Sequence, residues 1–122
     1  MDKKINLDDI NKLLEKGKPA ELLNLILHIL DFKTNEIILY NLLLKSSLTI
    51  KQIEKELNLS ERTIRKYLKT LEDEGFIYKR IERGKRLMYI YSSTPIQETW
   101  KLADTKIRDI LGKITVALEN KP

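Results

Sequence analysis

Four cations on one side of a short segment are the residues best placed to do chemistry in this chain. Within residues 60–75, SERTIRKYLKTLEDEG, a helical step of about 100° per residue gathers Ile64, Tyr67, Leu68 and Leu71 on one face. Arg62, Arg65, Lys66 and Lys69 gather on the opposite face. A solvated helix face normally mixes its charges, so a purely cationic stripe at these four positions is unusual. Its chemistry is non-covalent. A guanidinium can pair bidentately with a base edge, and an ammonium can neutralise a phosphate. The plainer reading is a solvated surface helix, and the surroundings must decide between the two.

Covalent chemistry has little to draw on. The chain has no cysteine, which excludes disulfides and thiolate metal sites, and a single histidine, His28. Its four glycines form no Gly-rich phosphate loop. An enzyme is not expected, and neither a cofactor nor a metal ion is implied.

At 122 residues the chain is one domain, or a small domain with an appended element, and 42% apolar content is ample for a core. No apolar stretch resembles a signal peptide or a membrane span, so a cytoplasmic protein without membrane contact is expected. The net charge of +5 is unevenly placed. Residues 1–45 hold seven basic and seven acidic side chains, and residues 92–122 hold five and four. Residues 46–91 hold eleven and seven, so the excess sits around the cationic stripe and points toward nucleic acid.

The elements that must position the stripe can be read in order. Residues 6–16 are predicted to be a helix, with Asn6 as its cap, Asp8 and Asp9 at its positive end and Gly17 as its stop. Pro19 opens a second helix, AELLNLILHILDF, so apolar that it must be buried on most sides, with His28 packed in a core or an interface. A third helix spans residues 35–45. Thr49 and Gln52 form a capping box that opens a fourth, whose buried stripe is Ile50, Ile53 and Leu57. Asn58 and Leu59 make the turn, and Ser60 caps the cationic helix, which ends at Gly75.

The period then changes. Residues 76–81 and 86–91 are rich in β-branched and aromatic side chains, with a turn at residues 82–85. This is a β-hairpin whose tip carries Arg83, Lys85 and Arg86. Thr94, Pro95 and Gln97 form a second capping signal, opening one long helix to about residue 120. Ile96, Trp100, Ala103, Ile107, Ile110, Ile114 and Ala117 recur at spacings of 4 and 3, a heptad seam that Leu111 and Leu118 widen. Such a helix is roughly 37 Å long at 1.5 Å per residue, more than a small domain can cover. The natural partner is the same helix of a second subunit, so these nine residues are the expected interface of a homodimer. Gly112 permits close approach or a slight bend.

Helix, capped helix, turn, basic helix and hairpin follow one another in winged helix-turn-helix order. Residues 48–91, about a third of the chain, resemble the DNA-binding domain of archaeal and bacterial winged-helix regulators, most closely the TrmB-like and MarR-like groups. The resemblance rests on Leu48, Thr49, Ile53, Leu57, Leu59, Ser60, Thr63, Ile64, Leu68, Leu71, Gly75, Phe76 and Ile77. Glu54 departs from the usual alanine, implying looser packing between the motif helices or an exposed position. The implied fold is mainly α with a small β-hairpin wing. Residues 1–93 would form the winged domain with an N-terminal helical extension, and residues 94–122 the dimerisation helix.

By matching position, Ser60, Arg62, Thr63, Arg65, Lys66 and Lys69 would meet double-stranded DNA in the major groove, and Arg83, Lys85 and Arg86 would meet it from the wing. Arg62 and Arg65 suit base reading, while Ser60, Thr63, Lys66 and Lys69 suit phosphates. The expectation is a dimeric, sequence-specific transcription regulator. Two alternatives are a winged-helix protein-interaction module and a weakly specific chromatin-type binder. The sugar-sensing domain of many TrmB-like regulators is not expected, which leaves a crevice near Tyr40 or Trp100 as the place for any effector.

Overall fold

The computed structural model describes residues 7–120, so the expected cap at Asn6 lies outside the described residues. Helix α1 (Leu7–Lys16) begins with Asp8 and Asp9 at its positive end. It buries none of its side chains, and Leu7 and Leu14 are exposed. Helix α2 (Pro19–Ile29) starts on its proline and buries Leu23, Leu25 and Leu27. It is less enclosed than its composition predicts, because Ile29 and His28 face outward. The core placement expected for His28 is therefore corrected, since on the single chain it is exposed. Asp31, at φ 71°, turns the chain out of α2, and the Phe32 N–H closes back on the Leu27 carbonyl at 3.0 Å.

Helix α3 (Thr34–Lys45) is the axis of the core. The Lys33 N–H donates to Glu36 Oε1 at its start, and Ile37, Leu39, Tyr40 and Leu43 are buried along it. Helix α4 (Ile50–Leu57) opens on the expected capping box. The Thr49 N–H donates to Gln52 Oε1 at 2.9 Å, and the Gln52 N–H to Thr49 Oγ1 at 3.3 Å. Ile53 is fully buried, whereas Ile50 and Leu57 are only partly covered. Glu54 is half-buried, consistent with its departure from alanine. Asn58 adopts the left-handed conformation that lets the chain turn into helix α5 (Glu61–Asp73).

Strands β1 (Ile77–Arg83) and β2 (Leu87–Ser93) pair antiparallel from Ile77↔Ser93 to Arg83↔Leu87. The tip is residues 84–86, starting two residues later than the predicted turn at 82–85, and β2 runs on through Ser92 and Ser93, past its predicted end at residue 91. Hydroxyl partners explain the extension. Ser93 Oγ donates to the Tyr40 carbonyl at 2.6 Å, and Ser92 Oγ meets Ser47 Oγ at 2.5 Å. Both serines can therefore enter the interior without orphaned polar groups. On its other edge β2 holds Leu48, whose N–H and carbonyl both bond to Tyr91. Phe76, expected in the strand, instead enters the core beside Phe32, with ring centroids 5.3 Å apart.

Helix α6 (Ile96–Glu119) starts differently from expectation. The Thr94–Gln97 capping box does not form. Pro95 takes the cap position, and Thr94 Oγ1 donates to the Gly75 carbonyl at 2.7 Å instead. The first turns of α6 pack on α2, and Thr99 and Ala103 are fully buried there. From Arg108 to Asn120 every described residue is exposed. Gly112 borders open space. Among the described residues, no helix is long and apolar enough to cross a membrane.

Candidate nucleic-acid interface

Helix α5 is held firmly from behind. Ile64 and Leu71 are fully buried and Leu68 nearly so, each such burial contributing about 1.5–3 kcal/mol. Its start is fixed by Ser60 Oγ, which accepts the Thr63 N–H at 3.2 Å and donates to Thr63 Oγ1 at 3.0 Å. Its end is fixed by Gly75 at φ +79°, where the Phe76 N–H reaches the Leu71 carbonyl at 2.9 Å. A helix capped at both ends and nailed down on one face presents its other face in a set orientation.

That outer face carries all four cations, exposed, but it is not purely cationic. Arg65 Nε donates to Glu61 Oε2 at 2.8 Å, and Lys69 Nζ lies 3.4 Å from Asp73 Oδ2. The hydrogen bond to Glu61 also raises the pKa of the Arg65 guanidinium, so it stays charged throughout. A helical step of four residues puts Glu61 before Arg65 and Asp73 after Lys69, a pairing legible in the sequence but missed among the cations. Among the described residues no carboxylate pairs with Arg62 or Lys66. These two are the free charges of the helix. Ser60 and Thr63 spend part of their hydrogen-bonding capacity on each other.

The wing carries Arg83, Lys85 and Arg86 around its tip, all exposed. The Gly84 N–H bonds to the Arg86 carbonyl at 3.3 Å and closes the loop. Two further wing cations were not singled out from the sequence. Lys79 lies 4.7 Å from the centre of the Tyr89 ring and 3.9 Å from Glu72 Oε2, tying the wing to α5. Arg80 is exposed beside it. The alternation of a strand is the signal that would have separated them, since it puts Lys79 and Tyr89 on one face of the ribbon.

The expected dimer residues divide. Ala103 is sealed inside the single chain, and Ile96 and Ile107 are half covered. Trp100, Ile110, Leu111, Ile114, Ala117 and Leu118 are exposed. An apolar groove of about 390 Å³ opens between α1, α2 and the start of α6, lined among others by Ile10, Leu14, Leu22, Ile26 and Trp100. No crevice opens at Tyr40. It is fully buried, and its hydroxyl bonds to the Thr94 carbonyl at 2.8 Å and to Thr99 Oγ1 at 2.9 Å. The part of the effector expectation that rested on Tyr40 is withdrawn. No cluster of three or more metal-ligating side chains occurs among the described residues.

A family of helix-turn-helix (HTH) domains matches residues 34–93, which run from the first residue of α3 to the last of β2. No curated protein matches. Among solved structures, a possible transcriptional regulator from Methanosarcina mazei Go1 superposes with a TM-score of 0.67 at 11% identity, over 96% of this chain and 89% of that one. The F27L mutant of MepR from S. aureus, bound to an oligodeoxyribonucleotide, gives 0.53 at 20% identity over 93% and 84%. A MarR-family transcriptional regulator from Rhodococcus sp. RHA1 gives 0.52 at 17% identity over 98% and 86%. Residues 34–93 match a helix-turn-helix domain family and fold as a winged helix-turn-helix, and the chain as a whole has the fold of the MarR-type transcription regulators.

Proposed function

We propose that the protein is a dimeric, sequence-specific regulator of transcription that binds double-stranded DNA through α5 and the wing. The observation that carries the proposal is the outer face of α5. Its cations stand on a helix anchored by Ile64, Leu68 and Leu71 and capped by Ser60, so they form a rigid charged ridge. Arg62 and Lys66 are free to meet DNA directly. Arg65 is held by Glu61 through Nε, which leaves its two terminal amino groups to address a base edge. Lys69 and the hydroxyls of Ser60 and Thr63 suit phosphate contacts, and Arg83, Lys85 and Arg86 extend the charge toward the flanking backbone or minor groove. The DNA-bound MepR neighbour has the same fold and supports this assignment.

Dimerisation rests on two exposed apolar surfaces. One is the protruding half of α6, with Ile110, Leu111, Ile114 and Leu118 exposed. The other is the groove between α1, α2 and the start of α6. Seating each helix in its partner's groove covers both at once and satisfies two-fold symmetry. Residues 94–122 then serve as the dimerisation helix, and the two α5 helices address half-sites about one helical turn, about 34 Å, apart.

The test is selection of preferred sites from random duplexes, followed by salt titration of the winner and a scrambled control. The expected result is tight binding to a roughly palindromic winner and weaker binding to the control, both falling as salt rises. Equal affinity for winner and control would instead identify a weakly specific chromatin-type binder. No binding to any duplex at low salt would leave the protein-interaction module as the surviving reading.

A further inference from the structure

Helix α6 meets the end of helix α5 over a small patch. Lys106, in the middle of α6, places Nζ 2.7 Å from Oε1 of Glu74, the C-cap residue of α5. The same ammonium lies 5.7 Å from the centre of the Phe32 ring. One turn earlier on α6, Leu102 sits so close to Gly75 that a Cβ there would approach its Cδ1 at 3.3 Å. The first turns of α6 lie on α2, and Thr94 and Thr99 just before and within them bond to Tyr40.

Three features single out the Lys106–Glu74 pair. It spans 32 residues of sequence, whereas the other ion pairs of α5 and α6 within a helix are i,i+4 pairs that cannot fix one element against another. It is half shielded, at 37% and 33% side-chain exposure, so solvent screens it less than the fully wet pairs. And it grips α5 at the residue where that helix ends, so a change in the contact turns α6 against the fixed α5.

We infer that Lys106 is a positioning residue for DNA recognition: through Glu74 it sets the angle between α6 and α5, and so the separation of the two reading helices in the dimer. The inference rests on the dimeric DNA-binding reading. Its content is a spacing preference. With the pair intact, the dimer favours one half-site separation; with the pair broken, it tolerates several.

The absence of cysteine allows a direct measurement. A Lys66→Cys substitution carries one spin label per subunit on the outer face of α5, and the label-to-label distance distribution is recorded without DNA. Separately, the unlabelled protein is titrated with duplexes that differ only in the number of base pairs between two selected half-sites. Lys106→Met keeps an unbranched apolar side chain and removes the charge. It is expected to broaden the distance distribution and to cut the affinity ratio between best and neighbouring spacings by roughly threefold, the scale of a partly exposed ion pair. Glu74→Gln should do the same. The reversed pair, Glu74→Lys with Lys106→Glu, should restore both readouts. An unchanged distribution and spacing profile in Lys106→Met and Glu74→Gln would overturn the inference. So would a uniform loss of affinity at every spacing with a lowered Tm, which is what a merely structural contact predicts. A sharp distance in the parent protein with no binding to any duplex would refute the DNA-binding reading instead, with the role of Lys106 in holding the angle judged on the distances alone.

Discussion

Arg65 and Lys69 stand one turn apart on the same face of α5, yet each is restrained differently. Arg65 is held in orientation by a 2.8 Å hydrogen bond from Nε to Glu61, whereas the Lys69 ammonium leans on Asp73 at 3.4 Å from a more exposed stem. An oriented fork suits base reading and a loose point charge suits phosphate, so Arg65→Ala should relax base preference while Lys69→Ala weakens winner and scrambled duplexes alike. Competition binding against single-base variants of the selected site distinguishes the two, and identical behaviour would erase the division of roles. Tyr40 makes a different kind of forecast. Burial pushes its phenol above the ordinary value of 10.0, with the Thr99 hydrogen bond pulling partly back. The folded state thus holds this proton more tightly than the unfolded chain, so stability is level below about pH 10 and falls as the pH rises beyond it. Tyr40→Phe should flatten that alkaline fall while lowering stability at neutral pH by about 1 kcal/mol, as measured by urea unfolding at pH 8 and pH 11.

At the scale of elements, what could be read in advance was whatever depended on neighbours in sequence. The Thr49–Gln52 box, the Ser60 cap, the Gly75 stop and the apolar stripe of α5 all rest on contacts within a few residues, and all are present. The misreadings share a cause in tertiary structure. Thr94 looks like a cap from its neighbours, but the Gly75 carbonyl, nineteen residues away, takes its hydroxyl. Ser92 and Ser93 look like a strand end, yet α3 and Ser47 supply partners that keep the strand going. His28 reads as buried because the leucines around it are, and the face of α2 it occupies is left open. Local contacts also set the cost of breaking these elements. Ser60→Ala should cost about 1 kcal/mol through loss of the cap. Gly75→Ala should cost about 1–2 kcal/mol, since it forces a side chain into left-handed backbone against Leu102. Denaturant midpoints at constant slope would check both, and a neutral Gly75→Ala would remove the argument that this turn demands glycine.

The whole molecule is a well-covered winged domain with a long, half-bare helix attached. Ile114, on the bare half, is 49% exposed and touches no part of the buried core, so Ile114→Glu should leave the fold of a single chain intact. In the dimer it would bury a charge in an apolar seam, giving monomers by light scattering and loss of operator affinity by more than tenfold. An unchanged mass would end the helix-pairing proposal. The heptad spacing announced this surface in the sequence, although not that Ala103 would be used up inside the chain. The bare half of α6 has one more consequence. Residues 108–120 amount to about three and a half turns that are exposed throughout, so they are held helical by continuity with the anchored first turns of α6 rather than by packing of their own. Their intrahelical supports, Asp104–Arg108 and Asp109–Lys113, contribute only about 0.3–0.5 kcal/mol each. In the dimer proposed above, association would add the packing these turns lack, so dilution should lower helicity and operator occupancy together. A dimer of that kind would gauge its own abundance: wherever the free chain is mostly monomeric, its grip on DNA would rise with the square of that chain, and a modest change in its synthesis would become a sharper change in what it controls.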